Sequence, residues 1–362
     1  MIKKGEILLK TKKVMTIAAA VLMAVSFDVS NMAEAAVNND GKKAQVVENL
    51  SPEAAEMKAG KEAYLGNDLK GALKHYSKAI ELNSKNPAAY LSRGIVQRQL
   101  NKLDEAINDF TKAVEVSPKF APAYIARGFI YEMKQQYTEA VSDFSQAINY
   151  APTRVESYIY RGVAYNKLEG YEEALADFDK AVTLKPDDFS IYANRAASYR
   201  GLKKYEQAAV DFSKAIELNT NNSKLLIERA NIYHMLGDGI SALADLTKAT
   251  EMEPANADYF YFRAIEYDTQ GEMQLALNDL EQAISLNRHE EKYFGKRADI
   301  HATAGDFYKA IEAFTAGLRI NPQNAMFLYR RGYLYKKLGE REKSEADYEA
   351  AKALKSDLPK YD

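Results

Sequence analysis

The sequence predicts an all-α chain in which nine equal modules, each of two helices, follow one another as a single repeat array. Three observations predict it. The 362-residue chain matches itself at a period of 34, without insertion or deletion, from Glu53 to Leu358, which is nine periods. Residue size is also fixed by place in the period. The eighth place is always small (Gly60, Gly94, Gly128, Gly162, Ala196, Ala230, Ala264, Ala298, Gly332) and the twentieth is Ala in every module but the last, which has Ser344. The twenty-fourth place is always large: Tyr76, Phe110, Phe144, Phe178, Phe212, Leu246, Leu280, Phe314 and Tyr348. Small residues in the middle of two helices, beside a large one, are what close helix approach requires. Proline, finally, keeps the register. Pro118, Pro152, Pro186, Pro254 and Pro322 share one turn between modules, while Pro52, Pro87 and Pro122 fall in first helical turns, where a missing N–H costs nothing.

Composition bounds the rest. With 47% hydrophobic and 28% charged residues, 18 Gly and 9 Pro, the chain is neither collagen-like nor disordered. The absence of Cys removes disulfides, thiolate metal sites and cysteine nucleophiles. Forty-nine basic against 51 acidic residues give a net charge of −2, so neither nucleic acid nor anionic lipid is an expected partner.

Residues 1–35 read as a secretory signal peptide. Lys3, Lys4, Lys10, Lys12 and Lys13 precede an apolar run from Val14 to Phe27, and Ala33-Glu34-Ala35 supplies a small-residue cleavage site. That run has 14 residues, against roughly 20 needed to span a bilayer, so cleavage after Ala35 is expected rather than stable membrane insertion. Export to a periplasm, the cell surface or the medium follows from this reading. Residues 36–52 form an N-terminal arm, and 359–362 a C-terminal tail.

Between them lie the modules 53–86, 87–120, 121–154, 155–188, 189–222, 223–256, 257–290, 291–324 and 325–358. Each holds two helical segments of about a dozen residues, with apolar positions three or four apart and short turns such as Leu168-Glu169-Gly170-Tyr171. Ser51 and Pro52 start the first helix cleanly. The last module's second helix, rich in Glu and Lys from Glu342 to Lys355, is expected to act as a polar lid.

These residues resemble the tetratricopeptide repeat (TPR) family over 53–358. An aromatic stands at the fourth place (Tyr90, Tyr124, Tyr158, Tyr192), Gly or Ala at the eighth, and Tyr at the eleventh (Tyr131, Tyr165, Tyr199, Tyr233, Tyr267, Tyr335). Ala at the twentieth and twenty-seventh and Pro near the thirty-second complete the pattern. The resemblance implies a right-handed superhelical solenoid of antiparallel helix pairs, with first helices lining a concave groove. Departures are mild: Glu56 and Ala63 make the first module atypical, Gly239 and Gly317 are expected to loosen the sixth and eighth, and Thr220 replaces a turn proline.

Two further places are periodic. The seventh is Arg in eight modules (Arg93, Arg127, Arg161, Arg195, Arg229, Arg263, Arg297, Arg331) and the twenty-third is Asp in seven (Asp109, Asp143, Asp177, Asp211, Asp245, Asp279, Asp347). A structural pair joining a first helix to a second is the expectation, because the matched Asp would neutralise an arginine ladder. The four His are scattered: His301 takes a slot that is Tyr in other modules, His75 an Asp slot, His289 a turn, and His234 the groove. No metal-ligand spacing, phosphate loop or serine elbow is present, so no cofactor, metal or catalytic residue is assigned and no enzyme is expected.

The resemblance places the second, fifth, sixth, ninth, twelfth and thirteenth residues of each module in the groove. Modules two to four then contribute an apolar strip of Leu91, Ile95, Ile125, Phe129, Ile159, Tyr160 and Val163. Modules five and six bring Asn194, Asn231 and His234. The seventh adds Tyr261, Phe262 and Ile265 with Asp258 and Asp268, and the last two Lys292, Lys296, Arg330, Lys336 and Lys337 against Asp299, a local excess of four positive charges. Aliphatic residues at this spacing are either core, buried by neighbouring modules, or a ligand strip, and the cations either a solvated face or a site for an acidic partner. The function expected is a non-enzymatic adaptor that holds a peptide or protein segment, with Phe129, Tyr160 and Phe262 as anchors. Self-association into a structural envelope component is the alternative.

Overall fold

A computed structural model describes residues 50–361, so the expected signal segment and arm residues 36–49 lie outside the described span. Within it every regular element is an α-helix, eighteen of them, each 13 or 14 residues long, with no strand. The chain divides after Lys204 into two compact units. The first holds α1 (Pro52–Leu65), α2 (Leu69–Leu82), α3 (Pro87–Gln99), α4 (Leu103–Val116), α5 (Ala121–Met133), α6 (Tyr137–Tyr150), α7 (Val155–Lys167), α8 (Tyr171–Leu184) and α9 (Phe189–Gly201). The second holds α10 (Tyr205–Leu218), α11 (Ser223–Leu236), α12 (Gly239–Met252), α13 (Ala257–Thr269), α14 (Met273–Leu286), α15 (Glu291–Thr303), α16 (Phe307–Ile320), α17 (Ala325–Lys337) and α18 (Arg341–Leu354). In each unit helices pack in chain order, and a first helix also touches the next first helix, as α3 does α5 and α13 does α15. Each unit is thus a stack of helix pairs, and among the described residues no helix is long and apolar enough to cross a membrane.

One residue sets the turn inside every module. The fifteenth place has positive φ throughout: Asn67, Asn101, Gln135, Glu169 and Lys203 at 59–61°, and Gly237, Gly271, Gly305 and Gly339 at 75–83°. Glycine adopts that backbone freely, and Asn tolerates it; a long side chain does so at a cost. Glu169→Gly is therefore expected to stabilise the first unit by about 0.5–1 kcal/mol, net of the added freedom of the unfolded chain. A rise in the urea midpoint checks it.

The size pattern becomes a packing rule. A Cβ built on Gly94 would lie 2.5 Å from the Phe110 ring, and one on Gly162 2.8 Å from Phe178, so the eighth-place glycine is the seat of the twenty-fourth-place ring. Gly317 does not loosen its module. It is buried, and a Cβ there would stand 2.6 Å from the Phe327 ring, as one built on Gly295 would stand 2.5 Å from the same ring. The fourth-place tyrosines tie helices to the preceding proline turn: Tyr124, Tyr158 and Tyr192 donate to the carbonyls of Pro118, Pro152 and Pro186 at 3.0–3.1 Å.

The end of the last module is closed differently from expectation. After α18 the chain folds back, Leu358 is buried, and Tyr361 packs its ring on Tyr329, Tyr348 and Tyr333 at 4.8, 5.2 and 5.9 Å. Its hydroxyl donates to the Tyr329 carbonyl at 2.7 Å, and a Cβ on Gly332 would meet that hydroxyl. Tyr361 stands where a tenth module would have its third residue; the third places of modules two to nine, Ala89 through Phe327, are all buried. The tail thus fills a core slot that the polar helix α18 alone would leave open.

Candidate functional site

The first helices are held in place by arginine. In at least six modules Nε and Nη2 of the seventh-place Arg donate in parallel to both oxygens of the twenty-third-place Asp at 2.6–2.8 Å: Arg93–Asp109, Arg127–Asp143, Arg161–Asp177, Arg229–Asp245, Arg263–Asp279 and Arg331–Asp347. The remaining Nη1 reaches back to the previous module's second helix, where Ser77, Thr111, Ser145, Ser213 and Thr315 accept at 2.9–3.2 Å. Each such Arg joins three helices. A hydroxyl recurs at the twenty-fifth place of the period, at Ser77, Thr111, Ser145, Ser213, Thr247 and Thr315, a pattern that could have announced the third helix but was not among the places singled out above. The carboxylates are buried and the guanidiniums half-buried. Burial pushes the Asp143 and Asp177 carboxyls up, offset in part by their arginines, and the same bonds raise the arginines. A ladder so paired is a structural framework and offers little to a polyanion.

In the first unit the apolar strip lies mostly between modules. Leu91, Ile125, Ile159, Tyr160 and Val163 are buried, while Ile95 and Phe129 keep a half-exposed face. Tyr160 meets Phe129 edge-on at 5.7 Å and Phe144 at 5.7 Å, and Arg98 lies 5.6 Å over Phe129. Burial also holds the Tyr160 hydroxyl protonated, well above the ordinary phenol range. Asn194 is buried and satisfied: its Nδ2 donates to the Ser190 carbonyl at 2.9 Å. Ser198 and Asn166 bond each other beside it at 2.8 Å. Of this strip, Phe129 is the one aromatic that reaches solvent.

The second unit carries a chain of ion pairs from each first helix to the next. His234 on α11 bonds Glu266 on α13 at 2.7 Å, Lys292 and Lys296 on α15 pair with Asp258 and Asp268 on α13 at 2.6 and 2.5 Å, and Arg330 on α17 pairs with Asp299 on α15 at 2.7 Å. The expected excess of four positive charges is therefore smaller, because Asp258 and Asp268 of the preceding module neutralise Lys292 and Lys296. Lys336 donates to the Tyr361 carbonyl at 3.0 Å, and Lys337 sits 5.3 Å over the Tyr333 ring. Tyr261, half-buried with Phe262 and Ile265, packs on Tyr293 at 5.3 Å, and burial pushes its hydroxyl up to about 12. Asn231 is half-buried and makes no side-chain hydrogen bond among the described residues.

The bond from Glu266 holds His234 above its usual pKa of 6.5. A raised folded-state pKa contributes stability that is complete below the unfolded value and is lost as pH rises through the folded one. Melting temperatures measured between about pH 6 and 9 are expected to fall further for the wild type than for His234→Gln.

A cleft opens among the groove places of the second unit. It measures about 350 Å³ and lies over α15, α16 and α17. Phe307, Phe314 and Leu334 line its apolar part with Ala302, and Tyr329 and Tyr333 add aromatic walls. Asp299, Arg330 and Lys337 supply its charges. Tyr329, Arg330, Tyr333 and Lys337 stand at the fifth, sixth, ninth and thirteenth places, which the resemblance assigns to the groove, although only Arg330 and Lys337 of these four were named as site residues; the α16 phenylalanines fall outside those places, since α16 is a second helix. Among the described residues no three His, Asp or Glu side chains gather to hold a metal.

Models of the tetratricopeptide repeat match residues 87–120, 131–190, 189–222, 257–290 and 296–359, and a TPR repeat model matches 60–100, together well over half of the chain. No curated protein matches it. Among solved structures, a tetratricopeptide repeat protein from Parabacteroides merdae superposes with a TM-score of 0.51 and 22% identity, over 68% of this chain and 97% of its own. The pilF protein of Pseudomonas aeruginosa gives 0.50 and 20%, over 59% and 97%. At such identities these two show the shared fold. From the family models, the invariant small and large places and the stacked helix pairs, the chain belongs to the tetratricopeptide repeat family.

Proposed function

We propose that this chain is an exported, non-enzymatic scaffold that holds a segment of another protein against the groove places of its first helices. A tetratricopeptide array is a protein-interaction scaffold, and the observation that carries the reading for this one is the cleft of about 350 Å³ opening at the fifth, sixth, ninth and thirteenth places of α17. It is small for a ligand pocket, within the range of about 300–1,000 Å³, and suits one anchoring side chain of a longer segment. Export rests on the lysines, apolar run and Ala33-Glu34-Ala35 site of residues 1–35.

A photo-crosslinking residue placed at Tyr333, at the cleft, is expected to trap protein partners in the producing cell. The same residue at the outward Tyr308, 72% exposed on α16, is expected to trap none. Adducts at Tyr308 with none at Tyr333 would refute the groove. For export, the mature chain is expected to begin at Ala36, and an intact Met1 terminus on the cytosolic protein would refute it.

A further inference from the structure

We infer that the cleft over α15, α16 and α17 receives an acidic peptide segment that buries one aromatic or large aliphatic side chain beside a carboxylate. This rests on the scaffold reading and adds the chemistry of the ligand. The apolar lining from Phe307, Phe314 and Leu334 excludes a charged or small side chain as the buried group, because desolvating a charge there without a partner is costly and a small one leaves the walls unfilled. Tyr329 and Tyr333 offer ring faces and edges to a flat or branched apolar group.

The mouth of the cleft selects the charge. Arg330 uses only Nη1 on Asp299, bonding both carboxylate oxygens at 2.7 and 2.8 Å. Its Nε and Nη2 bond nothing among the described residues, which leaves a guanidinium edge for a second carboxylate. Lys337 is exposed and pairs with no acid among the described residues; its ammonium is held over the Tyr333 ring instead. Two cations against Asp299 leave the mouth positive, while the pairs one module earlier, Lys292–Asp258 and Lys296–Asp268, are already closed. Arg330 and Lys337 therefore keep charge for a ligand where Lys292 and Lys296 do not, and both line this cleft. A planar fork and a nearby point charge, beside an apolar slot, recognise a carboxylate whose neighbour is apolar.

The test titrates the full chain with a labelled peptide, Gly-Glu-Asp-Phe-Glu-Asp-Gly, and follows fluorescence anisotropy. Binding is expected to weaken at least tenfold when the peptide Phe becomes Ala, when the acids become Lys, and in the Lys337→Glu variant, which changes an exposed residue and keeps the fold. Arg330→Gln is expected to act in the same direction. Equal or tighter binding of the lysine peptide, or unchanged binding by Lys337→Glu, overturns the ligand chemistry. So does a Tyr333 crosslink that lands on a second copy or on residues 36–49 of the same chain. If Tyr333 traps a foreign protein while the acidic peptide fails to bind, the chemistry fails and the scaffold stands; if Tyr333 traps nothing as well, both fail.

Discussion

Asp177→Ala is expected to lower stability by about 3–5 kcal/mol, the usual cost of removing one partner of a buried pair. The side chain of Asp177 is 5% exposed, and it receives two bonds from Arg161 at 2.6 and 2.8 Å. Truncation leaves the guanidinium in place, half out of water, with only Ser145 to bond. The loss comes less from the attraction removed than from the stranded charge, so replacing both Arg161 and Asp177 by apolar residues should cost less than the single change. Urea denaturation of the two variants checks this. Glu115→Ala, which breaks the exposed pair with Lys112, serves as the control and is expected to leave the midpoint unchanged. A midpoint for Asp177→Ala equal to the wild type would contradict the structural role given to all six pairs.

Phe144→Ala is expected to cost about 3–5 kcal/mol, through lost burial and the cavity left behind. The Phe144 ring is fully buried, occupies the space left by Gly128, and supports Tyr160 from the next module at 5.7 Å. The seat is narrow, because a Cβ on Gly128 would lie 2.9 Å from the ring, and helices shaped to that ring cannot close onto Ala without shifting. In a stack where each module leans on its neighbours, a loss of this size should split one unfolding transition into two. A single sharp transition at the wild-type midpoint would show that the site collapses freely.

What could be read in the sequence and what could not follow one physical line. Places that repeat every 34 residues announce contacts made identically in every module, so the Gly94–Phe110 seat and the Arg161–Asp177 pair are legible from residue spacing alone. The groove is not. An aliphatic residue at the fifth place, such as Ile125 or Ile159, is buried, and at the ninth place on the same helix face Val163 is buried while Phe129 reaches solvent, so place in the period alone does not fix which side chain stays open. Charges are misjudged for a related reason. Asp258–Lys292 and Asp268–Lys296 pair across 34 and 28 residues, so counting acids and bases inside the last two modules misses partners contributed by the module before. The cleft needs α16 as well as two first helices, a combination no single helical face reveals.

The seating of Tyr361 bears on the alternative of self-association, were copies to join through this end of the array. Any newcomer approaching that face meets a socket already plugged, its ring clasped by three others and its hydroxyl satisfied. Polymer growth from there would require eviction before docking, a toll set against whatever the new joint offers. Tyr361→Ala is expected to vacate the socket, and sedimentation at increasing concentration checks whether copies of the variant then join where the wild type does not.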